Sequence, residues 1–153
     1  MRICSVDPDV DSPAFALFVD GKLKNWNAMK AKKFQWLPLV PQLIELWQPD
    51  LLVIEDQYLP RMMTDRAKSI FQLVSARAMI CGCFILAGIP WETVQPFSWQ
   101  QSLGGSRLGR DQLKQRSFIV ASDIAGFKIE NEHIADAISM GQWFITNHRR
   151  KPA

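Results

Sequence analysis

Four side chains in this 153-residue chain are both of a kind that holds a divalent cation and placed where a site could form: Asp7, Glu55, His133 and Asp136. Asp7 closes the short apolar run Ile3-Cys4-Ser5-Val6, and Glu55 closes a second one, Leu51-Leu52-Val53-Ile54. A carboxylate at the end of a buried strand is costly to desolvate unless something pairs with it. His133 and Asp136 are three residues apart, so a helix puts them on one face, with Glu132 on nearly the same side. Hard oxygen ligands plus one imidazole suit Mg²⁺, which takes few carboxylates and keeps several waters, or Mn²⁺, which accepts an imidazole more readily. Two such ions about 4 Å apart can activate a water and steady the leaving oxygen in phosphodiester hydrolysis. Each residue also has a plainer reading. Asp7-Pro8 suits the start of a turn, Glu55-Asp56 a strand end meeting solvent, and His133 a surface histidine. Taken together the plain readings weaken, because three separate elements deliver acid where a metal site needs it.

The elements that must position these groups are legible as patterns. Residues 2–7, 14–19 and 22–27 read as strands, the last two joined by Asp20-Gly21, a short-hairpin signal because Gly accepts positive φ. Residues 28–36 form a basic, aromatic connector. A helix starts near Pro38, with Leu39, Val40, Leu43, Ile44 and Trp47 on one face, and Gln48-Pro49-Asp50 stops it. The run 51–54 reads as a central strand covered on both faces. After a loop from Tyr58 to Arg66, a long helix runs to about Ala87, halted by Gly88-Ile89-Pro90. Trp91 to Val94 forms a short strand, and Ser98 is placed to cap a short helix. Gly104 to Arg110 is a flexible basic loop, followed by a helix from Asp111 to Ala125 and a last helix from near Asn131. The order β-β-β-α-β-α-β-α-α gives an α/β chain with a mixed five-stranded sheet flanked by helices. If strands 2–7 and 51–55 are parallel neighbours, their terminal carboxylates come side by side.

Composition sets broad bounds. The length fits one domain with a real core, and 48% hydrophobic with 22% charged residues is ordinary for a globular chain. The net charge of +3 is too mild to announce nucleic acid by itself. Its distribution says more, with positive residues gathered in 22–33, 61–77, 107–116 and 148–151. Cys4, Cys81 and Cys83 are odd in number and lie in apolar surroundings, as reduced thiols of a cytoplasmic protein do. No signal peptide is expected, and the apolar stretch Ala76 to Ile89 is too short and interrupted to span a bilayer.

Along nearly its whole length the chain resembles RuvC-type Holliday junction resolvases, of the ribonuclease H-like (retroviral integrase-like) fold. The resemblance is carried by Val6-Asp7-Pro8, by Gln48-Pro49-Asp50 leading into Leu51-Leu52-Val53-Ile54-Glu55, and by His133-Ile134-Ala135-Asp136-Ala137. Gln72-Leu73-Val74-Ser75-Ala76-Arg77-Ala78 looks like the family's helix after the second acid. The resemblance implies a homodimeric, divalent-metal-dependent endonuclease that nicks opposing strands of a four-way DNA junction. Asp7, Glu55, His133 and Asp136 would be its catalytic and metal-binding set, with two Mg²⁺ per active site or Mn²⁺ in their place. It also implies a nuclease domain over 1–147, a basic and disordered tail over 148–153, and action in the cytoplasm of a bacterium or a phage-infected host. No membrane and no small-molecule cofactor are expected. The chain departs from the family at Asp9, where Gly is usual, with Asp11 close behind.

Phosphate contacts fall to Arg61, Arg66, Lys68, Arg107, Arg110 and Lys114, and to Lys30, Lys32 and Lys33. Tyr58 is placed to stack on a base, with Arg61, Met62 or Met63 as the alternative wedge. The six tryptophans are expected in the core or a dimer interface rather than on DNA. The long helix is apolar around much of its circumference, more than one sheet can cover, which points to a two-fold interface.

Overall fold

Alternation along two strands decides which way the strand-end acids face. The computed structural model describes residues 1–56, 67–104 and 108–148. Strands β1 (Arg2–Asp7), β2 (Ala14–Val19) and β3 (Lys22–Ala28) form an antiparallel meander, and β4 (Leu51–Glu55) and β5 (Trp91–Val94) add to it in parallel. The sheet order is β3-β2-β1-β4-β5. Asp20 and Gly21 both take positive φ at the β2–β3 turn, the conformation that an Asp-Gly hairpin requires.

β1 and β4 are adjacent, with Val6 opposite Ile54 as the last paired residues, so Asp7 and Glu55 follow side by side. Side chains on a strand point alternately to the two faces. Cys4, Val6, Leu52 and Ile54 therefore pack beneath helices α1 (Leu39–Trp47) and α2 (Ala67–Leu86), in a core that includes Trp36, Ile80 and Phe84. Ile3, Leu51 and Val53 face the other way, and Asp7 and Glu55 continue that row. The second layer there consists of α3 (Pro96–Gln100), α4 (Arg110–Ala125) and α5 (Glu132–His148). Both acids thus look toward α5.

Helix α5 lies unusually close to the sheet. Ser5, fully buried, donates its hydroxyl to the Ala137 carbonyl at 2.7 Å. Gly141, one turn on, has no room for a side chain: a Cβ would sit 2.5 Å from Phe18 Cε2 and against Ser5 as well. Asn131 starts the helix, its Oδ1 accepting the Ile134 N–H at 3.0 Å.

The expected elements form, with adjustments. Helix α3 begins at Pro96 after Gln95, so Ser98 lies inside it and caps nothing. A proline is tolerated there because the first-turn amides have no intrahelical partner. α4 starts one residue early, at Arg110, where the Gly109 N–H donates to Gln112 Oε1. α5 runs through His148, whose ring stacks on Phe144 at 3.7 Å. The apolar stretch of α2 is longer than Ala76–Ile89. Lys68–Leu86 is long and apolar enough by length and composition to cross a membrane, and 22% of it is buried here. In this fold Ala76, Ile80 and Phe84 seat it on the sheet. The expected loop Tyr58 to Arg66 lies outside the described residues, as does the expected tail 148–153 apart from His148, which ends α5.

Replacing Gly141 by alanine should cost about 1–3 kcal/mol, the usual penalty for overfilling a packed interior. Denaturant unfolding of Gly141→Ala measures it, and unchanged stability would show that α5 can lift away from β1 freely.

Candidate active site

Four acidic or imidazole side chains meet where β1, β4 and α5 converge. Asp7 and Glu55 come from adjacent strand ends, and His133 and Asp136 from the first turns of α5. His133 Nδ1 lies 2.8 Å from Asp7 Oδ2. Glu55 Oε1 accepts the indole N–H of Trp99 at 2.7 Å, and Asp136 Oδ1 accepts the Ser117 hydroxyl at 2.6 Å. All four sequence-derived candidates are therefore brought to one place.

The electrostatics are those of acids crowded without enough countercharge. Glu55 is pushed up to about 8, first by burial and then by the negative charge of Asp7, against the pull of the Trp99 hydrogen bond. Asp136 rises to about 6 for the same two reasons, opposed by its bond from Ser117. Burial also raises Asp7, with the His133 bond pulling the other way. His133 is carried up to about 9, chiefly by its bond to Asp7. The site holds protons that a cation could displace.

The donor set fits a hard divalent ion: three carboxylates and one imidazole, gathered and partly desolvated. Among the described residues, no three His, Cys, Asp or Glu side chains already converge as a finished ligand cage. Mg²⁺ dehydrates reluctantly and keeps several waters, so it needs few direct protein ligands. Asp7, Glu55, His133 and Asp136 are the residues that would hold it.

Glu132, beside His133, is drawn into an ion pair with Lys114 of α4, and its Oε1 stands 3.9 Å from His133 Nε2. The bond from Lys114 holds Glu132 below the usual carboxylate range. Asp9 and Asp11 serve the loop after β1. Asp9 Oδ1 accepts the N–H groups of Asp11 and Ser12, and Asp11 Oδ1 accepts that of Lys33. The charge of Asp9 still reaches the site, adding to the upward pressure on Asp7 and His133.

No protein-family profile matches the sequence. Among solved structures, Thermus thermophilus RuvC matches over 97% of this chain and 96% of its own, with 16% identity and a TM-score of 0.73. T. thermophilus RuvC in complex with Holliday junction substrate matches over the same shares at 16% identity, with a TM-score of 0.76. The yeast mitochondrial Holliday junction resolvase Ydc2 matches over 97% of this chain and 83% of its own, at 16% identity and a TM-score of 0.58. The chain has the RuvC fold. This is the ribonuclease H-like architecture that the resemblance implied, and in it the four candidates gather where the interior strands β1 and β4 end beside α5.

Of the basic residues read from the sequence, Arg110 and Lys68 are exposed at helix starts, and Lys114 is half-buried against Glu132. Lys30, Lys32 and Lys33 lie in the loop after β3, all three exposed. Tyr58, Arg61, Arg66 and Arg107, with Met62 and Met63, lie outside the described residues. Trp99 and Ser117 were not legible as parts of the site. The indole of Trp99 looked like core, which it also is, at 2% exposure. A tryptophan five residues after a predicted strand end was the only signal available.

Linkage gives a sign for pH. A group whose folded pKa is raised contributes stability below its ordinary pKa, and that contribution is lost as pH rises through the folded value. For Glu55 the window runs from about 4.5 to about 8, and for His133 from about 6.5 to about 9. The metal-free protein should therefore lose thermal stability between pH 6 and 9. Bound cations displace those protons, so the rise in melting temperature with Mg²⁺ or Mn²⁺ should be larger at pH 9 than at pH 6. Thermal unfolding in chelator and in each metal at both pH values tests this. Equal metal effects would remove these groups from the cation site.

Proposed function

We propose that this protein is a divalent-metal-dependent endodeoxyribonuclease that resolves four-way DNA junctions by paired symmetric nicks, working as a homodimer in the cytoplasm. The observation that carries the reading is the meeting of Asp7, Glu55, His133 and Asp136 at the ends of two parallel strands and one helix. Support for the substrate comes from structural likeness to proteins described as Holliday junction resolvases, one of them in complex with its junction.

Two bound ions would supply Lewis acidity at the scissile phosphate and a nucleophilic water. The chain's own groups do the rest. The carboxylates of Asp7, Glu55 and Asp136 would hold the cations at the ends of β1 and β4 and so fix where the phosphate sits. His133, bonded to Asp7, is held at one face of the site, where its imidazole would ligate an ion or take a proton from water once bound cations have displaced its own proton. Arg110, exposed at the start of the neighbouring helix, would offer positive charge to the DNA backbone, while Lys114 is held by Glu132.

The dimer is supported by α2. Phe71, Met79, Ile85 and Leu86 are exposed along the face opposite the buried Ala76, Ile80 and Phe84, and Ala78 and Gly82 lie among them. A Cβ on Gly82 would meet nothing within 4 Å, so the middle of this stripe is open to close approach. Two copies of one helix face make a self-complementary two-fold contact and provide two active sites for paired nicks. Ile85→Glu, half-exposed in the single chain, should leave the fold intact and shift light-scattering mass from dimer to monomer. A dimeric Ile85→Glu protein would put the interface elsewhere.

The deciding experiment is cleavage of an end-labelled four-way junction with Mg²⁺ or Mn²⁺ by the native protein and by Asp7→Asn, beside flapped, forked and linear DNA of matched sequence. Symmetric nicks in the junction, reduced by at least two orders of magnitude in the variant while junction binding persists, are the expected result. Equal cutting of every branched form would broaden the substrate. Tight binding without cutting under either metal would make this a junction-binding protein.

A further inference from the structure

Each carboxylate of the site has one oxygen engaged by the protein and one not. Asp7 Oδ2 is met by His133, Glu55 Oε1 by Trp99, and Asp136 Oδ1 by Ser117. Asp7 Oδ1, Glu55 Oε2 and Asp136 Oδ2 receive no hydrogen bond from the described residues. Yet none is sealed away from solvent, since the described residues include no fully buried side-chain oxygen without a partner. The engaged oxygens differ in one respect. His133 belongs to the site itself, whereas Trp99 and Ser117 come from other elements and are almost wholly buried, at 2% exposure each.

We infer that Trp99 and Ser117 are positioning residues: each anchors one carboxylate oxygen, of Glu55 and of Asp136, so that the other alone is presented to a cation. The inference rests on the metal-site reading above. Its physical basis is the freedom of a carboxylate. The terminal torsion of Glu or Asp is broad and nearly two-fold, so an unanchored group offers either oxygen in many orientations. An indole N–H is a donor with a single hydrogen, and a buried one cannot trade its acceptor for water. Fixed in place, it removes the rotation that ligation would otherwise have to freeze.

Both anchors are themselves held. Gln95, just before α3, donates to Asp56 Oδ2 at 2.6 Å, and Arg77 of α2 pairs with the same carboxylate. The Asp56 N–H also bonds the Val94 carbonyl at 2.8 Å. The residue beside Glu55 therefore ties down the segment that carries Trp99. On the other side, Ser139 of α5 lies 3.3 Å from both the hydroxyl and the carbonyl of Ser117, locking α4 to α5 at the level of Asp136. Each donor is placed by contacts near the acid it serves, not by the acid alone.

The test reads cation binding without DNA. Calorimetric titration with Mn²⁺ is run on the native protein, on Trp99→Phe and Ser117→Ala, and on Trp143→Phe as a tryptophan that donates to no site carboxylate. Melting temperatures in chelator are measured alongside. Trp99→Phe and Ser117→Ala should bind Mn²⁺ roughly 10–100-fold more weakly, the usual loss when a partner of a metal ligand is removed. Trp143→Phe should bind as the native protein does. On junction DNA, saturating Mn²⁺ should restore much of the lost rate, so the defect falls on the half-saturating metal concentration. Folded Trp99→Phe and Ser117→Ala proteins with native Mn²⁺ affinity would overturn the inference, as would a matching loss in Trp143→Phe. If one variant fails to fold, the other decides. A native protein that takes up no Mn²⁺ would sink the metal site and this inference together. Native uptake with the expected losses, but no cutting of any DNA, would sink the nuclease reading and leave the anchors standing.

Discussion

The approach of α5 to β1 is the constraint on which the rest of the structure depends. One missing side chain, at Gly141, and one buried hydroxyl, on Ser5, allow the helix to lie against the sheet with its Ala137 carbonyl satisfied. Interiors are packed densely enough that a single added carbon is felt. Here that density is converted into register, because the turn of α5 that precedes Ala137 carries His133 and Asp136. A helix displaced outward by one atom would separate them from Asp7. α4 inherits the same placement, since it meets α5 through Ser117, Ser139 and Lys114.

What this packing assembles is unfavourable by itself. Burial raises the proton affinity of Asp7, Glu55 and Asp136, and the charge of Asp7 adds to that of the other two. The surrounding donors offset part of that cost: Trp99 for Glu55, Ser117 for Asp136, and His133 for Asp7. Stability is concentrated elsewhere, in the two apolar layers on either side of the sheet, and spent where β1 and β4 end. Strain gathered at a single place and supported from outside it is characteristic of sites that act on something.

Most of the fold was readable because its signals are local. Asp20-Gly21, the prolines around α1, the apolar run before Glu55 and the glycine at 126 each act within a few residues, and each does what its chemistry predicts. The four candidates were readable for a related reason, since acids that end buried strands are conspicuous against their neighbours. Ser98 misled because a serine near a helix start resembles a cap, while Pro96 had already begun the helix. The anchors were not readable at all. Whether Trp99 is core or donor depends on where α3 lands beside β4, and whether Lys114 reaches DNA or Glu132 depends on how α4 leans on α5. Such facts belong to the docking of distant elements and leave no periodicity in the chain. Gly141 is of the same kind: inside a helix its only local meaning is a weak destabilisation, and its real reason is Phe18, more than a hundred residues away.

The order in which the chain supplies these parts has a consequence for its history as a molecule. Asp7 emerges first during synthesis and pairs its strand early with β2, but its partner on α5 lies 126 positions later. Before α5 docks, the polypeptide holds two carboxylates at the ends of β1 and β4, with neither the imidazole nor the third acid beside them. The site therefore has no half-built form that already gathers its ligands. Its assembly depends on contacts of long sequence separation, whose loop-closure entropy must be met before they form. A chain that ends before α5 keeps two of the four residues and gathers no site.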